Sequence, residues 1–133
     1  MSFLLWIESW IGKLERLKMK LLRGDIVLVN LEPVTGSEQG RTRPAVVLQN
    51  NVSNIYSPTT IIAPITSKVY EKEYPTNVLL SKDDSKLDKD STILLNQIRT
   101  IDKKRIVKKL GFLNEFLMKK VELAIKISLG LEY

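Results

Sequence analysis

Hydrophobic residues recur along this chain in two rhythms, and the change between them falls near residue 22. Phe3, Trp6, Ile7, Trp10, Ile11, Leu14, Leu17 and Leu21 step by three and four, the spacing of one face of an amphipathic helix. After Gly24 and Asp25 the pattern turns to short apolar runs rich in β-branched residues, over 26–31, 45–48, 59–65, 77–80, 92–95 and 98–101. Runs of that length and composition are strands, and 105–111 is read as one more. Pro33, Pro44, Pro58, Pro64 and Pro75 stand at or near their ends, which suits the short strands of a small barrel. Asn114 is a suitable N-cap, Leu117, Val121, Ala124, Ile125 and Ser128 then share one face, and Gly130 ends the segment. That is the signature of a C-terminal helix whose stripe is core or dimer packing. The expected organisation is mainly β with helices (α+β): an N-terminal amphipathic helical extension over 1–22 and one domain over 23–133.

Composition narrows the chemistry. The chain has 133 residues, 44% hydrophobic and 27% charged, with no cysteine and no histidine. One globular domain is the natural prior. Disulfides, thiolate nucleophiles and cysteine-based zinc sites are excluded, and the usual acid–base side chain at neutral pH is missing. A composition of this kind favours catalysis by positioning and charge stabilisation. A net charge of +6 and a pI near 9.6 suit polyanionic partners.

The N-terminal segment sets four basic residues (Lys13, Arg16, Lys18, Lys20) against Glu8 and Glu15. It is too interrupted by charge to span a bilayer. It also lacks the order of a secretory signal, since its basic residues follow the apolar stretch. Packing on the barrel or across an oligomer, and lying on a membrane surface through its Trp/Leu face, both remain open. Membrane contact is the weaker of the two.

The polar stretch Gly36-Ser37-Glu38-Gln39-Gly40-Arg41-Thr42-Arg43-Pro44 is where function concentrates. Loops this long in compact domains are usually functional or disordered, and two glycines permit tight bends or close approach to a ligand. Pro44 biases Arg43 towards an extended backbone, which gives a planar, always charged fork a defined exit direction. The plain alternative is a surface arginine paired with Glu38 across the loop.

Arg23-Gly24-Asp25-Ile26-Val27, Gly36-Ser37-Glu38-Gln39 and Arg43-Pro44-Ala45-Val46-Val47-Leu48 resemble the start of the MazF/PemK/Kid family of toxin endoribonucleases. Ser57-Pro58-Thr59, Ala63-Pro64-Ile65-Thr66 and the run from Leu94 through Gln97-Ile98-Arg99 to Ile101 follow in family order and spacing. The resemblance covers roughly residues 22–130. It implies an SH3-like small β-barrel with a C-terminal α-helix, acting as a homodimer in the bacterial cytoplasm. Family members typically begin near Met19, so the extra N-terminal helix admits a third reading, that it is not part of the native product.

The implied reaction is metal-independent cleavage of single-stranded mRNA, in which the substrate's own 2′-hydroxyl attacks phosphorus and leaves a 2′,3′-cyclic phosphate and a 5′-hydroxyl. Because the nucleophile belongs to the RNA, a chain without His or Cys meets the demand. The resemblance makes Arg43 and Thr66 the catalytic pair, Arg43 stabilising charge on the phosphorane and Thr66 donating a hydrogen bond, with Glu38 as base or orienting group; it also allows Arg43 to act as an acid, the weaker reading, and it implies no metal or other cofactor. Where relatives often carry a histidine before the arginine, Thr42 stands here. Ser37, Gln39, Lys68, Asn96 and Gln97 are candidate RNA contacts, since amides read the edges of splayed bases. A short recognition site containing U and A is expected, as is a cognate acidic antitoxin, which a basic toxin suits electrostatically.

The remaining motifs carry weaker signals. Tyr56, Tyr70 and Tyr74 are stacking candidates, though lone tyrosines are more often partial core. Lys103, Lys104, Arg105, Lys108 and Lys109 form a basic run read mainly as a solvated face. The stretch from Asp83 to Asp90 superficially suggests a calcium loop but lacks its glycine and final glutamate, and is read as a solvated turn. Two rival functions stand beside the nuclease: a non-catalytic interaction module on the same barrel, like the gyrase-poisoning relatives, and a membrane-surface protein acting through the N-terminal helix.

Overall fold

A computed structural model describes residues 20–132. Within them lie seven strands, β1 (Asp25–Asn30), β2 (Thr42–Val47), β3 (Thr59–Thr66), β4 (Asn77–Leu80), β5 (Ser91–Leu94), β6 (Arg99–Asp102) and β7 (Ile106–Phe112). Three helices accompany them: α1 (Asn51–Tyr56), the single turn α2 (Lys82–Ser85) and α3 (Glu115–Leu129), with a 3-10 turn over Lys103–Arg105. Every pairing is antiparallel. The sheet runs β4-β5-β3-β2-β1-β7, and β6 lies beside the first half of β3.

The apolar runs read as near-continuous because both faces of the central strands are covered. Alternate side chains point to opposite faces. Ile26, Val46, Ala63 and Ile65 join a core under α3, whose Leu117, Met118, Val121 and Ala124 close it. Val27, Val29, Ala45, Val47, Ile62 and Ile101 form a second cluster with Leu31. Neither face tolerates a one-residue slip, which fixes the register strongly.

The C-terminal helix forms as its sequence foretells. Asn114 accepts a hydrogen bond from Leu117 N at 2.8 Å, and Gly130, at φ +69°, ends the helix in the left-handed region. The stretch 83–90, expected to be only a solvated turn, contains α2. Ser81 caps it, Ser85 is buried and Leu87 packs against the core. Its aspartates stay exposed and serve local geometry, Asp90 accepting from Lys82 N. Helix α1 was not anticipated. Asn50 caps it through Ser53 N at 2.8 Å, and buried Asn54 fastens it to Gln49 and Thr60.

The expected N-terminal helix lies, over 1–19, outside the described residues. At 20–22 the backbone is irregular, and the donors that follow tie the chain to the sheet and α1. Leu22 N donates to Asp25 Oδ2, Arg23 N to Asn51 Oδ1 and Gly24 N to Val47 O. Among the described residues no helix is long and apolar enough to cross a membrane.

Candidate functional site

The loop between β1 and β2 is ordered by its own polar groups. At its base Leu31 N donates to Arg41 O at 2.9 Å, and Arg41 N donates to Glu32 Oε1 at 2.6 Å. At its tip Glu38 N bonds to Thr35 O at 3.2 Å, while Glu38 Oε1 accepts from Thr35 N at 2.5 Å. Gly36, at φ +56°, makes the bend between them in a region that side chains disfavour. The loop is then lashed to the turn after β5, where Gln39 N donates to Gln97 Oε1 at 2.8 Å across 58 residues of chain.

That lashing creates an open cleft of about 450 Å³ lined by Ser37, Glu38, Gln39, Asn96 and Gln97 together with Pro64, Ile98 and Arg99. Five of the eight residues expected to form the site therefore meet in one place. Gln39 Oε1 is buried there with no hydrogen-bond partner among the described residues. Such an orphaned acceptor costs about 1–3 kcal/mol, a penalty that a ligand donor relieves.

Arg43 and Thr66 are not part of the cleft lining, but they border it through the sheet. Ala45 of β2 lies opposite Pro64 of the cleft lining, with Arg43 two residues before Ala45 and Thr66 two after Pro64, but the two strands are not paired there: Arg43 lies opposite Val29 of β1 and Thr66 opposite Thr92 of β5. The plain alternative, a surface pairing of Arg43 with Glu38, does not occur. Instead Arg43 Nε donates to Gly40 O at 2.7 Å, and neither terminal guanidinium nitrogen has a partner among the described residues. Its fork is thus held by one edge and open at the other, the arrangement that bidentate phosphate binding needs.

Thr66 is buried, and its Oγ1 accepts from Lys68 N at 3.3 Å. The backbone role expected of a strand-end threonine is therefore real. It uses an acceptor lone pair and leaves the hydroxyl hydrogen available to donate. Lys68 stands exposed beyond Thr66, with Nζ 4.7 Å from the centre of the Tyr70 ring.

Arg99 is the lining residue that sequence reasoning passed over. It stands two places after Gln97 in a motif read only for its glutamine. Arg99 Nη1 donates to Leu31 O at 3.1 Å, which ties the cleft floor to the start of the β1–β2 loop. The basic run is less of a unit than its spacing suggests. Lys109 pairs with buried Asp25 at 3.1 Å, Arg105 bonds to the carbonyls of Asn30 and Glu32, and Lys103 to that of Asn54. Lys104 and Lys108 stay exposed.

Comparison with known proteins gives a consistent result. The family described as PemK-like, MazF-like toxin of type II toxin-antitoxin system matches residues 22–129. A protein of Staphylococcus saprophyticus named Endoribonuclease MazF is 54% identical over 109 residues, 82% of this chain and 91% of that one. Among solved structures, MazF from Deinococcus radiodurans superposes with a TM-score of 0.72 at 28% identity, over 84% of this chain and 97% of its own. A MazE-MazF structure from the same organism gives 0.68 at 26% identity, covering 85% and 98%.

Proposed function

The chain belongs to the PemK-like, MazF-like toxin family of type II toxin–antitoxin systems, and from that membership we propose that it is a metal-independent endoribonuclease. It cuts single-stranded mRNA at a short sequence, and a cognate acidic antitoxin neutralises it. The observation that carries the proposal is Arg43, whose Nε is docked on Gly40 O while its terminal nitrogens are left for a phosphate.

In this reading the 2′-oxygen of the substrate bonds to the adjacent phosphorus, and the bond from phosphorus to the 5′-oxygen breaks. Arg43 takes the negative charge that builds on the nonbridging oxygens. Thr66 donates its hydroxyl hydrogen to one of them. Glu38 has one oxygen engaged with Thr35 N, and the other accepts the 2′-proton. Orientation of Arg43, the other duty open to Glu38, falls to the Gly40 carbonyl. The departing 5′-oxygen is protonated by water in the open cleft, since a guanidinium is a reluctant acid. Ser37, Gln39, Asn96, Gln97 and Lys68 hold the strand, with the unpaired Gln39 Oε1 an acceptor for a base amino group.

We read the sheet as the SH3-like barrel of the family. Chain connection supports this: β6 passes through the 3-10 turn directly into β7, which pairs β1, and one apolar cluster draws on β1, β2, β3 and β6 with Ile106 of β7. The barrel domain spans 23–133 with 1–22 as its extension, and it works as a homodimer in the bacterial cytoplasm. Val107, Phe112, Phe116 and Leu123, exposed on β7 and α3, are apolar surface for a second copy to cover.

The test is digestion of a long single-stranded RNA in EDTA, with the wild type beside Arg43→Ala and the product ends mapped. Discrete cuts bearing 2′,3′-cyclic phosphates, absent in the variant, are expected. Intact RNA with a folded dimer would overturn the proposal in favour of a non-catalytic interaction module. Unchanged cleavage by Arg43→Ala would reassign the catalytic residues.

A further inference from the structure

The loop joining β3 to β4 carries a compact group of Lys68, Tyr70 and Tyr74, of which the catalytic reading uses only the lysine. The Tyr70 and Tyr74 rings meet edge to face, with centroids 5.8 Å apart and planes at 84°. Lys68 Nζ lies 4.7 Å from the Tyr70 ring centre, within cation–π range. Tyr70 is half-buried, whereas Tyr74 keeps 48% of its surface open. The sequence alone made partial core the safer assignment for both, and the exposure of Tyr74 speaks against that.

Both ends of the loop are stitched to elements that carry the cleft. At the near end Lys68 N donates to Thr66 Oγ1, and Lys68 O accepts from Thr92 Oγ1 at 2.8 Å. At the far end Tyr74 O accepts from Asn77 N, and Thr76 O accepts from Leu95 N, both at 2.9 Å. Leu95 immediately precedes Asn96 and Gln97 of the cleft lining. The ring pair therefore sits on a loop braced at both ends, and the far end is bonded to the residue that precedes Asn96 and Gln97.

We infer that Tyr74, held by Tyr70 and Lys68, is a stacking platform for one unpaired nucleobase of the RNA strand beside the cleavage site. The inference rests on the endoribonuclease reading for its choice of ligand. An aromatic face suits every base and needs no hydrogen-bond code. Ionic attraction is not what draws the strand here. Lys68 and Lys72 are matched by Glu71 and Glu73, so the loop has no net charge, and stacking must carry the contact. Lys68 then serves to fix Tyr70 and to meet the phosphate beside the stacked base.

The experiment uses the full chain and a single-stranded oligonucleotide with 2′-deoxy sugars, which lacks the attacking hydroxyl. Its dissociation constant is measured for wild type, Tyr74→Ala and Tyr74→Phe at low and high salt, then again with each base deleted in turn. Tyr74→Ala should weaken binding about five- to one-hundredfold, while Tyr74→Phe stays within about twofold of wild type. The ratio of wild type to Tyr74→Ala should persist at high salt, because it is not a counterion effect. Deleting one particular base should abolish the ratio, and deleting the others should not.

Equal affinities, or a loss that is the same for every base deletion, would overturn the platform. So would weakened binding of an acidic antitoxin peptide with oligonucleotide affinity intact, which would give the rings to a protein partner. Cleavage of the all-ribose oligonucleotide by wild type separates the two proposals. Cleavage with no effect of Tyr74→Ala sinks the platform alone. Binding that depends on Tyr74 without any cleavage sinks the nuclease and keeps the platform. A wild type that neither binds the deoxy oligonucleotide nor cleaves the all-ribose one sinks both.

Discussion

Substituting alanine for Gly40 would test whether the β1–β2 loop transmits its own geometry to Arg43. Gly40 does not lie in the left-handed region occupied by Gly24, Gly36 and Gly130, so its backbone accepts a side chain and only the contacts of the added carbon matter. That Cβ would stand 2.5 Å from Glu32 Oε1 and 2.8 Å from Val34 Cγ2. Neither approach is sustainable, and the carboxylate, at the end of a flexible side chain, is the group that yields. The same Glu32 oxygen accepts from Arg41 N at 2.6 Å, so moving it opens the base of the loop.

A hydrogen bond to a charged acceptor contributes about 1.5–3 kcal/mol. Glu32 is exposed, and water replaces part of that, which leaves a loss of about 1–2 kcal/mol. For a domain of this size the melting temperature should fall by about 3–10 °C. The larger effect should be on catalysis, because Gly40 O holds Arg43 Nε at 2.7 Å. A shift of about 1 Å in a catalytic group costs up to a hundredfold, so kcat for Gly40→Ala should drop about ten- to one-hundredfold. The assay is cleavage of a defined oligoribonucleotide under saturating substrate, with thermal unfolding of the same samples. Glu32→Ala removes the nearer of the two obstacles and leaves Val34, so Gly40→Ala should cost less in that background, with a coupling of at least about 0.5 kcal/mol. Wild-type melting together with wild-type kcat in Gly40→Ala would refute the reasoning.

Three further outcomes follow from neighbouring contacts. Arg43→Lys should lose at least about a hundredfold in kcat despite keeping its charge, because an ammonium cannot dock on Gly40 O and still offer a fork; circular dichroism checks that the fold survives. Thr66→Val should lower kcat about tenfold while Thr66→Ser recovers most of it, since the hydroxyl and not the methyl is needed; equal rates for both variants would remove Thr66 from the chemistry. Lys109→Met should destabilise the domain by about 1–3 kcal/mol by leaving the buried Asp25 carboxylate without its cation, and denaturant titration would show the double variant with Asp25→Asn recovering part of that loss.

Much of the strand framework was legible because tertiary structure agrees with local preference. The runs at 26–31 and 59–65 are β-branched and buried on both faces, so composition and packing point the same way. Helix α3 was legible for the same reason, with Asn114 and Gly130 marking its ends. Helix α1 was not, because six residues without an apolar stripe carry little helical signal. What holds it is Asn54, bonded to Gln49 and Thr60, and those partners meet only once β3 is in place. Within the site, the grouping of residues 37–39 with Asn96 and Gln97 came from resemblance, not periodicity. No local pattern announces a bond between residues 39 and 97. The alternative pairing of Arg43 with Glu38 is absent because nearness in sequence is a poor guide inside a loop that folds on itself. Glu38 turns back to Thr35, and the nearer carbonyl of Gly40 claims the arginine.

The polar groups of the site share a division that sequence does not reveal. Arg43 spends Nε on Gly40 O and keeps its terminal nitrogens. Thr66 accepts from Lys68 N and keeps its hydroxyl hydrogen. Gln97 accepts from Gln39 N through Oε1 and keeps its amide N–H groups. Each side chain is anchored by one atom and offers another, so its rotamer is set before substrate arrives. A site without histidine leans on donors already aimed where charge develops. Such preorganisation spares the ordering of long side chains, about 0.5–1.5 kcal/mol each. The anchoring bonds should therefore matter as much as the atoms facing the RNA. Loss of an anchor should depress kcat more than it raises KM, because the phosphate is still held, but by a group that must find its position during the reaction.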